Sequence, residues 1–257
     1  MQLDGGRVGK IKKQDDCVIR PANPWTQAVQ SFLQFLWDKG FDNIPKPYGL
    51  TEDGKEMVSY VDGDVYHDDL WRIFQSEEVL IDVAKLLRRF HNTGKEYMTN
   101  LTGDEPWMLQ KRQPQEVMCH GDFAPYNITF VDGKVSGIID FDTLHPGPAL
   151  WDIAYAVYRW IPFVSPENPD YCYDLPKQTE RLKIFADSYG MDNDSRKSLP
   201  AMMIKRITAL VDYMKEQESL GNEDVIQNIK DGHMDLYLQD IAYLQTNEDK
   251  IIEGIIS

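Results

Sequence analysis

Apolar positions along this 257-residue chain follow two different periods, and the change between them divides it. Over the first sixty residues the runs are short and strand-like. Val8 to Lys13 and Cys17 to Arg20 read as strands separated by the turn-like Gln14-Asp15-Asp16. Pro24 opens a helix to about Lys39, with Ala28, Val29, Phe32, Leu33, Phe35 and Leu36 on one face and Gly40 as its stop. Tyr48 to Leu50 and Glu56 to Val61 give two more strands around the Glu52-Asp53-Gly54 turn. Asp62-Gly63-Asp64 then reads as a crossing between lobes.

Beyond that point the helical period takes over. Val79, Val83, Leu86, Leu87 and Phe90 recur at helical spacing, and Gly94 is expected to end the element. Glu116 to Cys119 and Ile128 to Val131 are brief apolar runs, and Asp132-Gly133 is a hairpin turn returning into a strand from Val135 to Ile139. Further helices are expected at about Trp151 to Trp160, Gln178 to Tyr189, Arg196 to Glu218 and Asp224 to Gln245. The proline-rich stretch from Pro162 to Pro176 is expected to be a loop, and Asp152 to cap the helix that opens at Ile153. The pattern predicts an α+β protein, with a small β-rich lobe at residues 1–62 and a larger helical one at residues 63–257.

Candidate chemistry concentrates in one segment, His120-Gly121-Asp122-Phe123-Ala124-Pro125-Tyr126-Asn127, followed by Ile138-Ile139-Asp140-Phe141-Asp142. The intervening hairpin brings Asp140 back beside Asn127, so Asp122, Asn127 and Asp140 can meet at one place. Asn127 and Asp140 offer the hard oxygens that Mg²⁺ takes, and Asp122 is left to orient a substrate hydroxyl and accept its proton. Each residue alone would be an ordinary turn or capping residue. Three at this spacing point to phosphoryl transfer from a nucleotide. A competing arrangement would use His120, Asp122 and His145 as transition-metal ligands of a hydrolase, but it lacks a second histidine-rich motif.

Charge and composition narrow the partners. A formal net charge of −15 argues against nucleic acid as a partner and is compatible with a cationic substrate, although acidity also serves solubility. The polar start carries no apolar run of the kind a secretory signal needs, and no stretch approaches a membrane span. Cys17, Cys119 and Cys172 are odd in number and have no metal-type spacing, which favours a reduced, cytoplasmic chain. No membrane partner is expected.

The segments HGDFAPYN and IDFD resemble the catalytic stretch of the aminoglycoside phosphotransferase and choline-kinase-like family. Leu144-His145-Pro146-Gly147-Pro148-Ala149-Leu150-Trp151-Asp152-Ile153-Ala154 is similar to the segment that follows it. Cys17-Val18-Ile19-Arg20-Pro21 and Val58-Ser59-Tyr60-Val61-Asp62-Gly63 are similar to that family's nucleotide-lobe strand and hinge. The resemblance implies a bilobal protein-kinase-like fold and transfer of the γ-phosphate of ATP or GTP, with Mg²⁺, to a hydroxyl of a small substrate. By position, Asp122 matches the catalytic base, Asn127 and Asp140 the metal ligands, and His120 the brace of the loop. Arg20, Ser59 and Val61 match the nucleotide site. Asp142 is left between a metal or substrate role and a turn role.

Two departures stand out. Arg20 occupies the place of the phosphate-binding strand lysine, and the first helix carries Gln27, Gln30 and Gln34 but no glutamate to pair with it. Lys10, Lys12 and Lys13 are alternatives to Arg20, and Gly5, Gly6 and Gly9 are a candidate phosphate-covering loop. These departures keep open a pseudokinase that binds nucleotide without turnover. For a kinase, Asp170, Asp174, Asp212, Glu216, Glu218 and Asp235, with several aromatic residues, would suit an amino-sugar or amino-alcohol, though none is assigned individually.

Overall fold

The computed structural model describes residues 11–66 and 70–256. The chain forms two compact units, one comprising Met1–Asp68 and Arg89–Ala149, the other Asp69–Arg88 and Leu150–Ser257. The architecture is α+β. Among the described residues, no helix is long and apolar enough to cross a membrane.

The first unit contains an antiparallel sheet of β1 (Lys12–Gln14), β2 (Cys17–Pro21), β3 (Pro47–Leu50) and β4 (Lys55–Ser59), in the order β1-β2-β4-β3. Asp15, at φ 52°, makes the tight turn between the first two strands. The β2–β4 register places Arg20 directly opposite Glu56. Helix α1 (Thr26–Asp38) buries Ala28, Val29, Phe32, Leu33 and Leu36, as its periodicity predicts. It begins two residues after Pro24, where the Asn23 amide donates to Thr26 Oγ1 and the Thr26 amide to the Asn23 carbonyl.

After the short α2 (Trp71–Gln75), α3 (Glu77–Tyr97) corrects an expectation, because it runs straight through Gly94. A Cβ at Gly94 would sit 3.3 Å from the Met118 Cβ. The glycine therefore admits a close neighbour instead of stopping the helix. That neighbour belongs to β5 (Val117–Cys119), which pairs with β8 (His145–Gly147). No strand was expected at His145-Pro146-Gly147; its composition is turn-like, and only its partner makes it a strand. Between them lies the expected hairpin of β6 (Ile128–Val131) and β7 (Lys134–Ile138). Asp132 and Gly133 turn it at φ 51° and 75°, the positive values a two-residue hairpin needs.

The second unit is mainly helical, with α4 (Ala149–Trp160), α5 (Leu175–Tyr189), α6 (Asn193–Ser219), α7 (Glu223–Lys230) and α8 (His233–Ile256). Helices α5 and α6 both pack on α8. Three local expectations change here. Pro176 lies in the first turn of α5, where a missing N–H costs nothing, behind the cap that Asp174 Oδ1 makes with the Lys177 amide at 3.1 Å. The single helix expected over Asp224 to Gln245 is two, broken at Gly232 with φ 88°. Asp152 is no cap for a helix opening at Ile153, since α4 already opens at Ala149 and Asp152 is fully buried within it.

Asp240 on α8 ties the irregular stretch after α4 to the helices. Its carboxylate, itself fully buried, accepts from Tyr158 Oη at 2.7 Å, the Ser165 amide at 2.7 Å and Asn168 Nδ2 at 3.0 Å. Burial pushes the Asp240 carboxyl above its ordinary range, against the pull of these donors. Burial, then Asp240, push the Tyr158 hydroxyl well up. The phenol therefore keeps its proton and donates. Removing the acceptor leaves three buried donors unsatisfied. Asp240→Ala is expected to cost about 2–4 kcal/mol of unfolding free energy in a urea titration, and Asp240→Asn less.

Candidate active site

The loop leaving β5 is held in a conformation few sequences allow. Gly121 has φ 83°, and a Cβ there would lie 2.4 Å from the Thr143 carbonyl oxygen. On its N-terminal side, the buried His120 ring is 3.0 Å through Nε2 from the Ile139 carbonyl. Its Nδ1 accepts from the Asp122 amide at 3.3 Å. The two contacts require the proton on Nε2, so the ring is neutral and binds backbone on both sides. It packs 4.9 Å from the Phe141 ring. The bracing role the resemblance implied for His120 fits this geometry.

Asp122 follows, half-buried, and its carboxylate has two donors. Tyr126 Oη donates to Oδ1 at 2.8 Å and Asn127 Nδ2 donates to Oδ2 at 2.9 Å. Asn127 Nδ2 also donates to the Asp122 backbone carbonyl at 2.9 Å. The short 3-10 turn Pro125–Asn127 makes this reach possible. With its amide nitrogen so engaged, Asn127 has its Oδ1 left as a hard oxygen donor.

The hairpin then returns Asp140 to the same place. The Ile139 amide donates to the Asn127 carbonyl at 2.9 Å, and Asp140 takes a left-handed φ of 60°, which is uncommon for a residue with a side chain. Its side chain is 52% exposed, the most open of the group. Asn127 and Asp140 line one cavity of about 470 Å³. Ile11, Val18, Val58, Val61 and Ile139 form apolar walls, and Arg20 and Glu56 lie among its polar residues. Ser59 lines it as well, while its amide and hydroxyl are engaged with Lys46. A mostly apolar pocket with a few charged groups is the usual form of a cofactor site.

Arg20 is the best-anchored of the predicted residues. Its Nε donates to Glu56 Oε2 at 2.5 Å, and its Nη2 and Nη1 fork onto the Asp142 carboxylate at 2.9 and 3.3 Å. Nη1 lies 3.5 Å from Asp140 Oδ1. Burial alone would lower the pKa of this guanidinium, but Asp142, Glu56 and Asp140 together hold it above its ordinary value. The expected lack of a carboxylate partner is therefore corrected: the partner is Glu56, on a neighbouring strand. Asp142 also accepts from Trp25 Nε1 at 3.3 Å, so it anchors side chains of the first unit.

Of the alternatives to Arg20, Lys12 is exposed on β1, and Lys13 Nζ sits 3.3 Å over the Tyr60 ring. Lys10 and the Gly5, Gly6 and Gly9 loop lie outside the described residues. Among the acidic residues considered for substrate recognition, Asp174 is a helix cap. The transition-metal arrangement gains nothing, because both ring nitrogens of His120 are bound to backbone, and no group of three or more His, Cys, Asp or Glu among the described residues is placed to hold a metal.

Sequence reasoning missed Glu56, Trp25 and Tyr126. For Glu56 there was a signal: it shares a strand face with the buried Val58, and a carboxylate in phase with a core position needs a partner.

Comparison with known proteins bears on the fold that carries this site. A family model described as a phosphotransferase enzyme family matches residues 104–178, which span the loop and the hairpin. This chain carries a kinase-like fold. A choline/ethanolamine kinase family protein from Mesorhizobium loti superposes with TM-score 0.64 at 12% identity, over 100% of this chain and 92% of that one. An amicoumacin kinase, solved in complex with AMP-PNP, Ca²⁺ and Ami, gives TM-score 0.64 at 13% identity, over 97% and 88%. A GDP-bound aminoglycoside 2′-phosphotransferase-IIIa gives 0.58 at 14%, over 94% and 91%. The trifolitoxin immunity protein of Rhizobium leguminosarum bv. trifolii is 27% identical over 228 residues, covering 84% of this chain and 82% of that protein. The resemblance to aminoglycoside phosphotransferases and choline kinases, first visible in HGDFAPYN and IDFD, holds at the level of the fold.

The glycine in the loop is the tightest geometric demand of the site. Gly121→Ala combines a positive φ with a clash against Thr143 backbone. It is expected to lower stability by about 2 kcal/mol or more in thermal or denaturant unfolding.

Proposed function

We propose that this chain is a phosphotransferase with an alcohol group as acceptor, moving the γ-phosphate of ATP or GTP to a small hydroxylated molecule. The observation that carries the reading is the bonding of Asn127 to Asp122 beside a cavity that Asn127, Asp140 and Arg20 line together. Asp122 is the catalytic base: its Oδ1 and Oδ2 are oriented by Tyr126 and Asn127, and it accepts the proton of the substrate hydroxyl, or orients that hydroxyl for in-line attack. Arg20 grips phosphate, for which a forked, permanently charged group is suited. Ser59 and Val61, which line the cavity, border the base of the nucleotide.

Asn127 and Asp140 are the residues that would hold Mg²⁺. Their oxygens are of the hard type it prefers, and with so few protein ligands the rest of its shell is left to phosphate and water. When bound, the ion supplies neutralisation of the charge on the phosphates. Residues 1–62 act as the nucleotide lobe in this reading. Cys17, Cys119 and Cys172 form no disulfide, which supports a cytoplasmic setting.

A second consideration concerns the acceptor. The charge of −15 suits a cationic molecule such as an amino-sugar or amino-alcohol. The relative named as an immunity protein, with neighbours named as an amicoumacin kinase and an aminoglycoside phosphotransferase, favours a hydroxyl-bearing toxin or drug that phosphorylation inactivates. The pseudokinase alternative loses one of its two supports, since Arg20 has a carboxylate partner after all.

The deciding experiment measures nucleoside-diphosphate release with Mg²⁺ and ATP or GTP across aminoglycosides, amicoumacin-type molecules and amino-alcohols. Substrate-dependent release is expected, and it should vanish in Asp122→Asn. Asp122→Ala should lower turnover roughly 10²-fold or more, the loss typical for a positioned proton acceptor. Asp140→Ala should abolish metal-dependent nucleotide binding as well as turnover, and full activity in either variant would refute the site. Nucleotide binding in the presence of Mg²⁺, without release from any acceptor, would favour the pseudokinase.

A further inference from the structure

We propose that Glu56 on β4 and Gln30 on α1 are positioning residues for Arg20, together replacing the helix glutamate that aligns the strand lysine in other kinases of this fold. The inference rests on the phosphotransferase reading and deepens it, by saying how a site with a changed cation is kept in order.

The geometry begins with strand register. Arg20 and Glu56 are direct cross-strand partners, so their side chains leave the sheet on one face a few ångströms apart. Glu56 is completely buried and lies 2.5 Å from Arg20 Nε. A carboxylate so placed persists only when paired and hydrogen-bonded. Its second oxygen, Oε1, accepts from Gln30 Nε2 at 3.2 Å. Gln30 is itself buried on the inner face of α1 and also donates to the Gly49 carbonyl at 3.2 Å and toward that of Met57 at 3.5 Å.

This explains the chemistry of the helix position. A glutamate at Gln30 would bring a second carboxylate against Glu56, and two like charges at that separation cannot both ionise readily. An amide there instead donates to the carboxylate that the strand supplies. The charge of the usual ion pair has moved from helix to strand, and the helix residue has become the neutral hydrogen-bond donor.

The arrangement also suits arginine specifically. Glu56 holds the Nε end of the guanidinium, while Asp142 holds the Nη end through two bonds and is fixed by Trp25. Two carboxylates at opposite ends of one plane define its orientation, which a lysine ammonium could not register. Nη2 keeps a further N–H for an anion, while Nη1 also faces Asp140 Oδ1 at 3.5 Å. Arg20 and Glu56 line the same cavity as Asn127 and Asp140, which puts this oriented cation where nucleotide phosphate is expected.

The test titrates wild type, Glu56→Gln, Gln30→Glu and the double variant with the Mg²⁺ complexes of AMP-PNP and GMP-PNP. Adenosine and guanosine serve as phosphate-free probes, and circular dichroism and melting curves monitor folding. Glu56→Gln is expected to weaken the preferred triphosphate analogue about tenfold or more and leave the nucleoside unchanged. Adding Gln30→Glu to it restores the carboxylate from the helix side and should recover most of the loss. A folded Glu56→Gln that binds the analogue like wild type overturns the inference, as does an equal loss for nucleoside and triphosphate, which would mark a packing role. Should Glu56→Gln fail to fold, Glu56→Asp keeps the charge but shortens its reach. It is expected to weaken the analogue about threefold or more, and wild-type affinity there also overturns the inference. Wild-type protein binding neither analogue would instead bring down the phosphotransferase reading, and this inference with it.

Discussion

Burying the guanidinium of Arg20 is the constraint on which the first unit is organised. A cation taken out of water needs compensating charge from every side. Here that charge comes from three carboxylates in two places far apart in sequence: Glu56 on an adjacent strand, and Asp140 and Asp142 beyond the hairpin. Meeting that demand joins the β1–β4 sheet to the segment that carries the candidate chemistry. Trp25, just before α1, donates to Asp142 as well, so helix, sheet and post-hairpin loop converge on one network.

The second set of constraints acts on the backbone. Gly121 and Asp140 both occupy left-handed conformations, one required by contact with Thr143 and the other re-aiming a carboxylate at the end of a strand. Between them, His120 ties its loop to Ile139, and Asn127 ties the next turn to Asp122. The Asn127 bonds are local, made across the 3-10 turn Pro125–Asn127, whereas the His120 bond joins the loop after β5 to the end of the hairpin. Strain of this kind persists where the surroundings over-determine it, which is common at functional sites.

How much could be read in advance depended on the range of the interaction. Asp122, Asn127 and Asp140 were legible because their spacing, with an Asp-Gly hairpin between, is a local pattern that chain geometry turns into proximity. The sheet strands and α1 were legible from their periodicity. Gly94 was misread as a stop because a glycine looks the same whether it ends a helix or admits a neighbour, and only Met118 distinguishes the two. β8 was invisible for a similar reason, since His145-Pro146-Gly147 is extended only because Val117–Cys119 lies beside it.

The sequence by itself determined the α+β class, the spacing that brings the candidate residues Asp122, Asn127 and Asp140 close, and an arginine at the strand position where the resemblance leads one to expect lysine. These follow from periodicity, turn chemistry and short spacings, all encoded within a few tens of residues. Only the tertiary structure decided which carboxylate partners Arg20, because that choice depends on the register of two strands whose paired residues, Arg20 and Glu56, lie well apart in the chain. It also decided the part of Asp142, which sequence left between metal, substrate and turn and which the fold sets against Arg20 and Trp25. A buried charge selects its partner by distance in space, and the linear sequence does not display that distance.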